Sequence, residues 1–344
     1  MKPSADGPKA PSSASSEPPR RPDSSGSGAA TPPADSASSS GNAAPASKPS
    51  PPAVAFPPAD FSPPFERSAK PGDGKWVALG DGARGDFAAA APHVLFRTVV
   101  HPHPVSRFVS VTVVAVDLSR AAVHLVAGTE DPVALHVPES ERTGLVPSDH
   151  QTSLLALFNG GYQTPHGRWG VMIGDQVLVP PRDVGCTIAL YRDGSARIAS
   201  WPALAKTQGT MAAFRQTPPC LVEGGALHAD LAAFREGAWG GRVPNVKTRN
   251  RSAVGVDASG RVLFYGFGDE AGARLLADGM RFAGAVAAAQ LDINYYWTRF
   301  LLVGKKKPEA PLSITSPLAP KMQYEPRGYV SRPAARDFFY VKRR

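Results

Sequence analysis

Nothing in this chain runs long without interruption, and that limits the fold more than any other feature. Between about residues 94 and 303 its apolar stretches are short and repeatedly cut by Gly, Asp and Pro. Three of the cuts read as hairpin turns. Gly174-Asp175 separates Gly170–Ile173 from Gln176–Val179, and Asp193-Gly194 separates Thr187–Tyr191 from Ala196–Ala199. Asp257–Arg261 separates Ala253–Val256 from Val262–Tyr265. Gly and Asp tolerate the left-handed backbone that tight turns require, and the flanking apolar runs supply the paired strands. Val94–Val100, Val109–Val116 and Ala122–Ala127 read as further strands, the second being rich in β-branched residues. Leu154–Phe158, Ala288–Asp292 and Phe300–Val303 read as buried ones. The one clear helical stripe lies in Glu270–Phe282, where Ala273, Leu276, Ala277 and Met280 share a side. Many strands and few helices predict an α+β fold, a single mixed, strand-rich domain that is not a doubly wound sheet.

Composition sets the expected boundaries. Residues 1–70 hold 16 of the 36 prolines and are otherwise mostly Ser, Ala and Gly. Such a stretch buries too little apolar surface to offset its ordering entropy, so 1–70 is predicted to be a disordered low-complexity linker. The rest is long enough for one substantial core. It is divided into a domain over 71–304 and a basic C-terminal segment over 305–344. The net charge of +9 collects at that end: residues 299–344 carry 11 Lys/Arg against 3 Asp/Glu, whereas 71–298 are close to neutral. The segment is expected to be either a solvated terminus or a contact for an anionic surface such as acidic lipid or wall polymer. No helix-turn-helix, zinc-finger or aromatic-studded RNA-binding pattern occurs, so no specific nucleic-acid partner is expected. No apolar run approaches the roughly 18 residues of a membrane span, so no transmembrane segment is expected. Met1-Lys2-Pro3-Ser4 opens into polar low complexity with no apolar signal region visible. Cys186 and Cys220 stand outside any CxxC pattern. One disulfide and two reduced, buried thiols both remain open, because geometry decides between them.

Three strand ends can carry chemistry. In Phe158-Asn159-Gly160-Gly161-Tyr162, two glycines after a buried strand let the backbone turn sharply, approach a ligand and aim the Asn159 amide into a cleft; the same residues also suit a plain hairpin turn. In Arg249-Asn250-Arg251-Ser252, an arginine at a strand entrance can clamp a phosphate or carboxylate, or simply lie solvated. In Leu291-Asp292-Ile293-Asn294, a buried strand delivers a carboxylate to a sheet edge, where it suits acid–base work, sugar-hydroxyl binding or a turn. His166 follows the Asn159 turn closely enough to share its cleft and is the best histidine for proton transfer. Glu223 is the candidate second carboxylate.

In this order the segments resemble the phosphodiester glycosidase domain, the family of the mannose-6-phosphate uncovering enzyme. The match runs through Phe158-Asn159-Gly160-Gly161-Tyr162, Gly170–Asp175, Pro219–Gly225 and Arg251-Ser252-Ala253-Val254-Gly255-Val256-Asp257, then the helix and Gln290-Leu291-Asp292. It covers about residues 95–303. One departure is plain: the family's LDGG reads here as Leu291-Asp292-Ile293-Asn294, so the aspartate stays and the glycines do not. Asn294 can supply an amide in their place. Tyr295, Tyr296 and Trp297 either stack on a sugar or pack beneath the C-terminal segment.

The resemblance implies a hydrolase that cleaves a sugar-1-phosphodiester or related glycosidic bond in an envelope or extracellular glycan. Its partner would then be a carbohydrate or phosphoglycan, and its location extracytoplasmic. Asp292 would act as acid or base or hold sugar hydroxyls, Arg251 would clamp the phosphate, and Asn159 with Gly160 and Gly161 would position substrate. The alternative is a non-catalytic glycan or anionic-polymer binding module on the same fold. No His/Cys cluster suits zinc and no cofactor is expected; a divalent cation held by Asp292 and Asn294 finds no support in ligand spacing. Under either reading the cleft is expected to survive deletion of 305–344.

Overall fold

A computed structural model describes residues 55–79, 92–134, 136–240, 249–307 and 309–344. The strand-rich α+β expectation is met. Among the described residues, three antiparallel sheets of eight, five and five strands form the framework. Four α-helices accompany them, of which Ala273–Phe282 alone exceeds one turn. The hairpins form where the sequence placed them. Val171–Ile173 pairs with Gln176–Val179, Cys186–Tyr191 with Ala196–Ser200, and Arg249–Val256 with Val262–Ala271. Gly174 and Gly194 sit in the first two turns at φ 58° and 83°, a left-handed backbone that a side chain would strain.

The eight-stranded sheet carries the candidate strand ends Arg249–Val256 and Ala287–Ile293 side by side, with Arg251 opposite Ile293. The second sheet carries Leu154–Asn159 between Phe300–Gly304 and Phe338–Arg343. One apolar cluster joins all three sheets, with Phe158, Phe300 and Phe339 stacked at its centre and Val114, Ile188 and Leu263 around them. The helix lays Leu276, Ala277 and Met280 against the other face of the large sheet, over Val111, Val113 and Phe264. These are the stripe residues read from the sequence.

Two boundaries differ from expectation. Residues 1–54 of the supposed linker lie outside the described residues, but 55–70 are built into the fold. Phe56 and Phe61 pack on the helix-side core, Ser68 is fully buried, and Asp73 just beyond accepts from His101 at 2.8 Å. The few apolar residues of this stretch find a partner in the domain that composition alone could not show.

Nor is 305–344 a solvated tail. Phe338–Arg343 pairs with Leu154–Asn159 on one side and Ala121–Val126 on the other, with Phe338, Phe339, Tyr340 and Val341 all buried. Four consecutive apolar residues outweigh the Lys-Arg-Arg that follows them. Removing 305–344 would take an interior strand out of the second sheet, which contradicts the expected survival of the cleft.

Cys186 and Cys220 are joined by a disulfide across a sequence separation of 34 residues, the first of the two alternatives. Bonds of this kind persist in oxidising compartments. Closing a loop of that length is expected to contribute about 3–4 kcal/mol through the unfolded chain. A Cys186→Ser/Cys220→Ser double variant should lower the urea midpoint correspondingly, and the loss should match that of the reduced wild type. Among the described residues no helix is long and apolar enough to cross a membrane.

Candidate active site

The ends of Leu154–Asn159 and Ala287–Ile293 meet at a cleft of about 200 Å³. Asn159, Gly160, Gly161, Asp292 and Trp297 line it, together with Arg299 and a run from Glu325 to Asp337. Five of the nine expected site residues therefore converge. The opposite wall comes from the segment read as a basic tail.

Asp292 is buried. Its Oδ1 accepts from the Ile293 N–H at 2.8 Å and its Oδ2 is ion-paired with Arg336. Burial pushes its carboxyl up to about 6, against the opposing pull of the Arg336 guanidinium. Arg336 also donates to the Gly161 carbonyl at 3.1 Å and lies 4.4 Å over the Trp297 ring. Trp297 thus meets the C-terminal segment through a cation on its face, and it stays exposed, as do Tyr295 and Tyr296.

The two glycines do different work from that expected. A Cβ on Gly160 would lie 2.0 Å from Asp337 Oδ2, and one on Gly161 would lie 2.9 Å from Arg215 Cζ. They make room for a buried ion pair rather than for a ligand. Arg215 Nε donates to Asp337 Oδ2 at 2.8 Å, Nη2 to the Tyr162 carbonyl at 2.6 Å, and the Gly161 N–H to Asp337 Oδ2 at 3.3 Å. Asp337 lines the cleft directly after Arg336, and Arg215 holds it from outside the lining.

The Asn159 amide does not face a ligand either. Nδ2 donates to the Gly160 carbonyl and Ser252 Oγ, and Oδ1 accepts from the Arg299 N–H and Tyr265 Oη. That exhausts its two donors and two lone pairs, so Asn159 ties the strand ends together. Ser252 Oγ completes the tie by donating to the Asp292 carbonyl at 2.8 Å.

The other expected residues lie elsewhere. Arg251 is buried outside the cleft lining, giving Nη1 to the Trp239 carbonyl and Gln290 Oε1 and Nη2 to the Gly240 carbonyl. An arginine at a strand entrance serves as well for capping carbonyls as for clamping phosphate. Its desolvation pulls the guanidinium below its ordinary pKa. Glu223 is exposed and accepts from the Ser200 N–H and Oγ, both at 3.0 Å, so it is not the second carboxylate here. His166 is exposed in a short 3-10 turn and does not line the cleft. Asn294 Oδ1 accepts from Arg249 Nη1 at 2.8 Å. Asp292 and Asn294 each face an arginine, and among the described residues no group of three acidic, His or Cys ligands is assembled.

Reasoning from the sequence missed Arg215, Arg336, Asp337, Arg299 and Glu325. The first three form the back of the site. Arg299 and Glu325 line the cleft, and each also has a buried polar atom, Nε and Oε2 respectively, without a hydrogen-bond partner.

No protein-family model matches the chain, and no curated protein does. Among solved structures, it is similar in fold to the catalytic domain of zebrafish N-acetylglucosamine-1-phosphodiester α-N-acetylglucosaminidase, auto-inhibited by its pro-peptide. Identity is 15%, coverage is 76% of this chain and 87% of that one, and the TM-score is 0.46. It is also similar to a hypothetical protein from Synechocystis at 11% identity, over 74% of this chain and 65% of that one, with a TM-score of 0.36.

Proposed function

We propose that the chain is an extracytoplasmic hydrolase of sugar-1-phosphodiesters or closely related glycosidic bonds. The observation that carries this reading is the buried Asp292 at a strand end, opening on a cleft whose other walls are Trp297 and the cations Arg299, Arg332 and Arg336. An aromatic ring suits a sugar face and guanidinium groups suit a phosphate, so one cleft offers both halves of such a substrate. The order of strand-end motifs in the sequence supports the same class, and the disulfide supports the location.

Cleavage of the bond between the anomeric carbon and the phosphate oxygen builds positive charge on the sugar and negative charge on the leaving phosphate. Ionised Asp292 stabilises the first and the arginines the second, in a partly desolvated site where such charges act strongly. The departing phosphate monoester is a good leaving group and needs no strong acid. Arg251 has no part in this scheme, and its phosphate role passes to the arginines of the cleft.

The full chain should turn over a panel of sugar-1-phosphodiesters faster than the matching uncharged glycosides, and Asp292→Asn should slow both on the order of 10²–10³-fold. Arg332→Ala should slow the phosphodiesters selectively. Equal loss on both substrate classes would remove phosphate from the reading.

A second reading, a non-catalytic glycan-binding module, has one specific observation behind it. Both Asp292 oxygens are occupied by groups of the protein itself, Ile293 N–H and Arg336. Glycan binding without turnover, unchanged in Asp292→Asn, would favour it.

A further inference from the structure

Away from the cleft, the tip of the hairpin at Asp193-Gly194 gathers four arginines. Arg192 and Arg197 flank the tip in sequence. The Ala196 N–H donates to the Gly260 carbonyl at 3.4 Å, which brings the turn holding Arg261 alongside. A Cβ on Gly194 would overlap the Arg344 guanidinium, so Arg344 lies against the same tip. All four are exposed. The carboxylates nearby are engaged within or between their own turns. Asp193 Oδ1 accepts from the Ser195 N–H at 2.8 Å and Ser195 Oγ at 2.7 Å, and Asp257 Oδ1 from the Arg261 and Val262 N–H groups. Asp175 pairs with Arg192 at 2.6 Å. Arg197, Arg261 and Arg344 form no ion pair among the described residues. Ser195 first, then the charges of Arg197 and Arg261, hold the Asp193 carboxyl below its ordinary pKa, which places both guanidiniums within reach of it.

Beside the tip runs an open groove of about 470 Å³, lined by Arg192 and Arg197 together with Tyr191, Ser195, Thr207 and Thr210. Its hydroxyls already donate to the protein. Ser195 Oγ gives its proton to Asp193, Thr207 Oγ1 to the Leu204 carbonyl at 2.8 Å, and Thr210 Oγ1 to the Thr207 carbonyl at 2.7 Å. A hydroxyl that has spent its proton keeps a lone pair to accept a sugar O–H. Guanidinium forks in turn match carboxylate or phosphate oxygens. None of the large exposed apolar side chains lies in this lining, so the groove offers no anchor for a lipid tail or an apolar protein face. It is also separate from the cleft, with which it shares no lining residue. Met211–Thr217 starts beside the groove and carries Arg215, the partner of cleft-lining Asp337. From Thr210 to Arg215 is roughly 17 Å at about 3.4 Å per residue.

We infer that this groove and the arginines around it bind an acidic polysaccharide, one whose sugars carry carboxylate or phosphate groups, and so dock the domain on the polymer at a site remote from the cleft. Such docking needs no chemistry in the cleft and stands apart from the hydrolase reading.

The test is titration calorimetry of the full chain with polygalacturonate and with phosphorylated dextran, plain dextran serving as the uncharged control. An acidic polymer should bind, plain dextran should not, and added salt should weaken the binding. Arg197→Gln combined with Arg261→Gln should lower the affinity on the order of tenfold, and the Glu pair should lower it further, both with an unchanged urea midpoint. Arg332→Ala, in the cleft, should stay within threefold of the wild type. Where the wild type turns over a small sugar-1-phosphodiester, the groove variants should do so equally well. A matching loss of that turnover, or a loss of polymer binding in Arg332→Ala alone, would place the polymer in the cleft and overturn the assignment. Binding to neither acidic polymer, or binding indifferent to Arg197 and Arg261, also overturns it. So does equally tight binding to phosphatidylglycerol vesicles or duplex DNA, which would show that these arginines read charge alone.

Discussion

Asp337→Ala is expected to destabilise the fold by about 3–5 kcal/mol, the usual cost of removing one partner from a buried ion pair. Arg215 and Asp337 are only 1% and 0% exposed. Truncating the aspartate strands the guanidinium charge in the core and leaves the Gly161 N–H without its acceptor. The penalty should depend on the stranded charge and much less on the lost contact. Arg215→Met combined with Asp337→Ala should therefore be more stable than Asp337→Ala alone. Urea unfolding of the two single variants and the double completes the cycle; additive losses would show that the pair is not coupled. Function should suffer with stability, because the lost carboxylate holds the Gly161 N–H of the cleft lining and directly follows Arg336.

The same pair explains what could and could not be read beforehand. Hairpins at Gly174-Asp175 and Asp193-Gly194 were legible because turn chemistry is local, and so was the helical stripe through Leu276 and Met280. The convergence of Asn159–Gly161 with Asp292 was expected through the family resemblance, since each strand end alone suits an ordinary turn. Their partners were not. Arg215 and Asp337 are 122 residues apart in sequence, and nothing near either residue marks it as half of a pair. Met211–Thr217, the strand that holds Arg215, escaped because buried Arg215 and Gln216 break the apolar pattern that signals a strand. The C-terminal charge misled by averaging. A surplus counted over 299–344 looks like a solvated end, yet Arg299, Arg332 and Arg336 face the cleft and Phe338–Val341 fill the core. Gly160 and Gly161 were rightly read as a place of close approach, but the approaching group is the protein's own.

Asp292→Asn is expected to lower kcat on the order of 10²–10³-fold, the scale of losing one preorganised charge from an active site. The pH profile should identify the cause. With its carboxyl pushed up to about 6 by burial, Asp292 is protonated below that pH and ionised above it. A step that needs the ionised form should therefore speed up as pH rises through about 6 and then level off, and Asp292→Asn should lose this rise. Folding is affected in the opposite sense. The folded chain holds this proton more tightly than the unfolded chain, so Asp292 contributes stability at low pH that is lost as pH rises through about 6. Asp292→Asn removes both that cost and the pairing with Arg336; the two act against each other, so inactivity need not reflect unfolding. Arg336→Gln separates positioning from bulk. It leaves Asp292 buried but takes away the cation that holds its pKa down, so the pKa should climb further. The midpoint of the rate profile should then move to higher pH, with a larger loss near pH 6 than on the alkaline plateau. A loss of the same size at every pH would mean that Arg336 acts on the substrate or on Trp297, and not through the charge of Asp292.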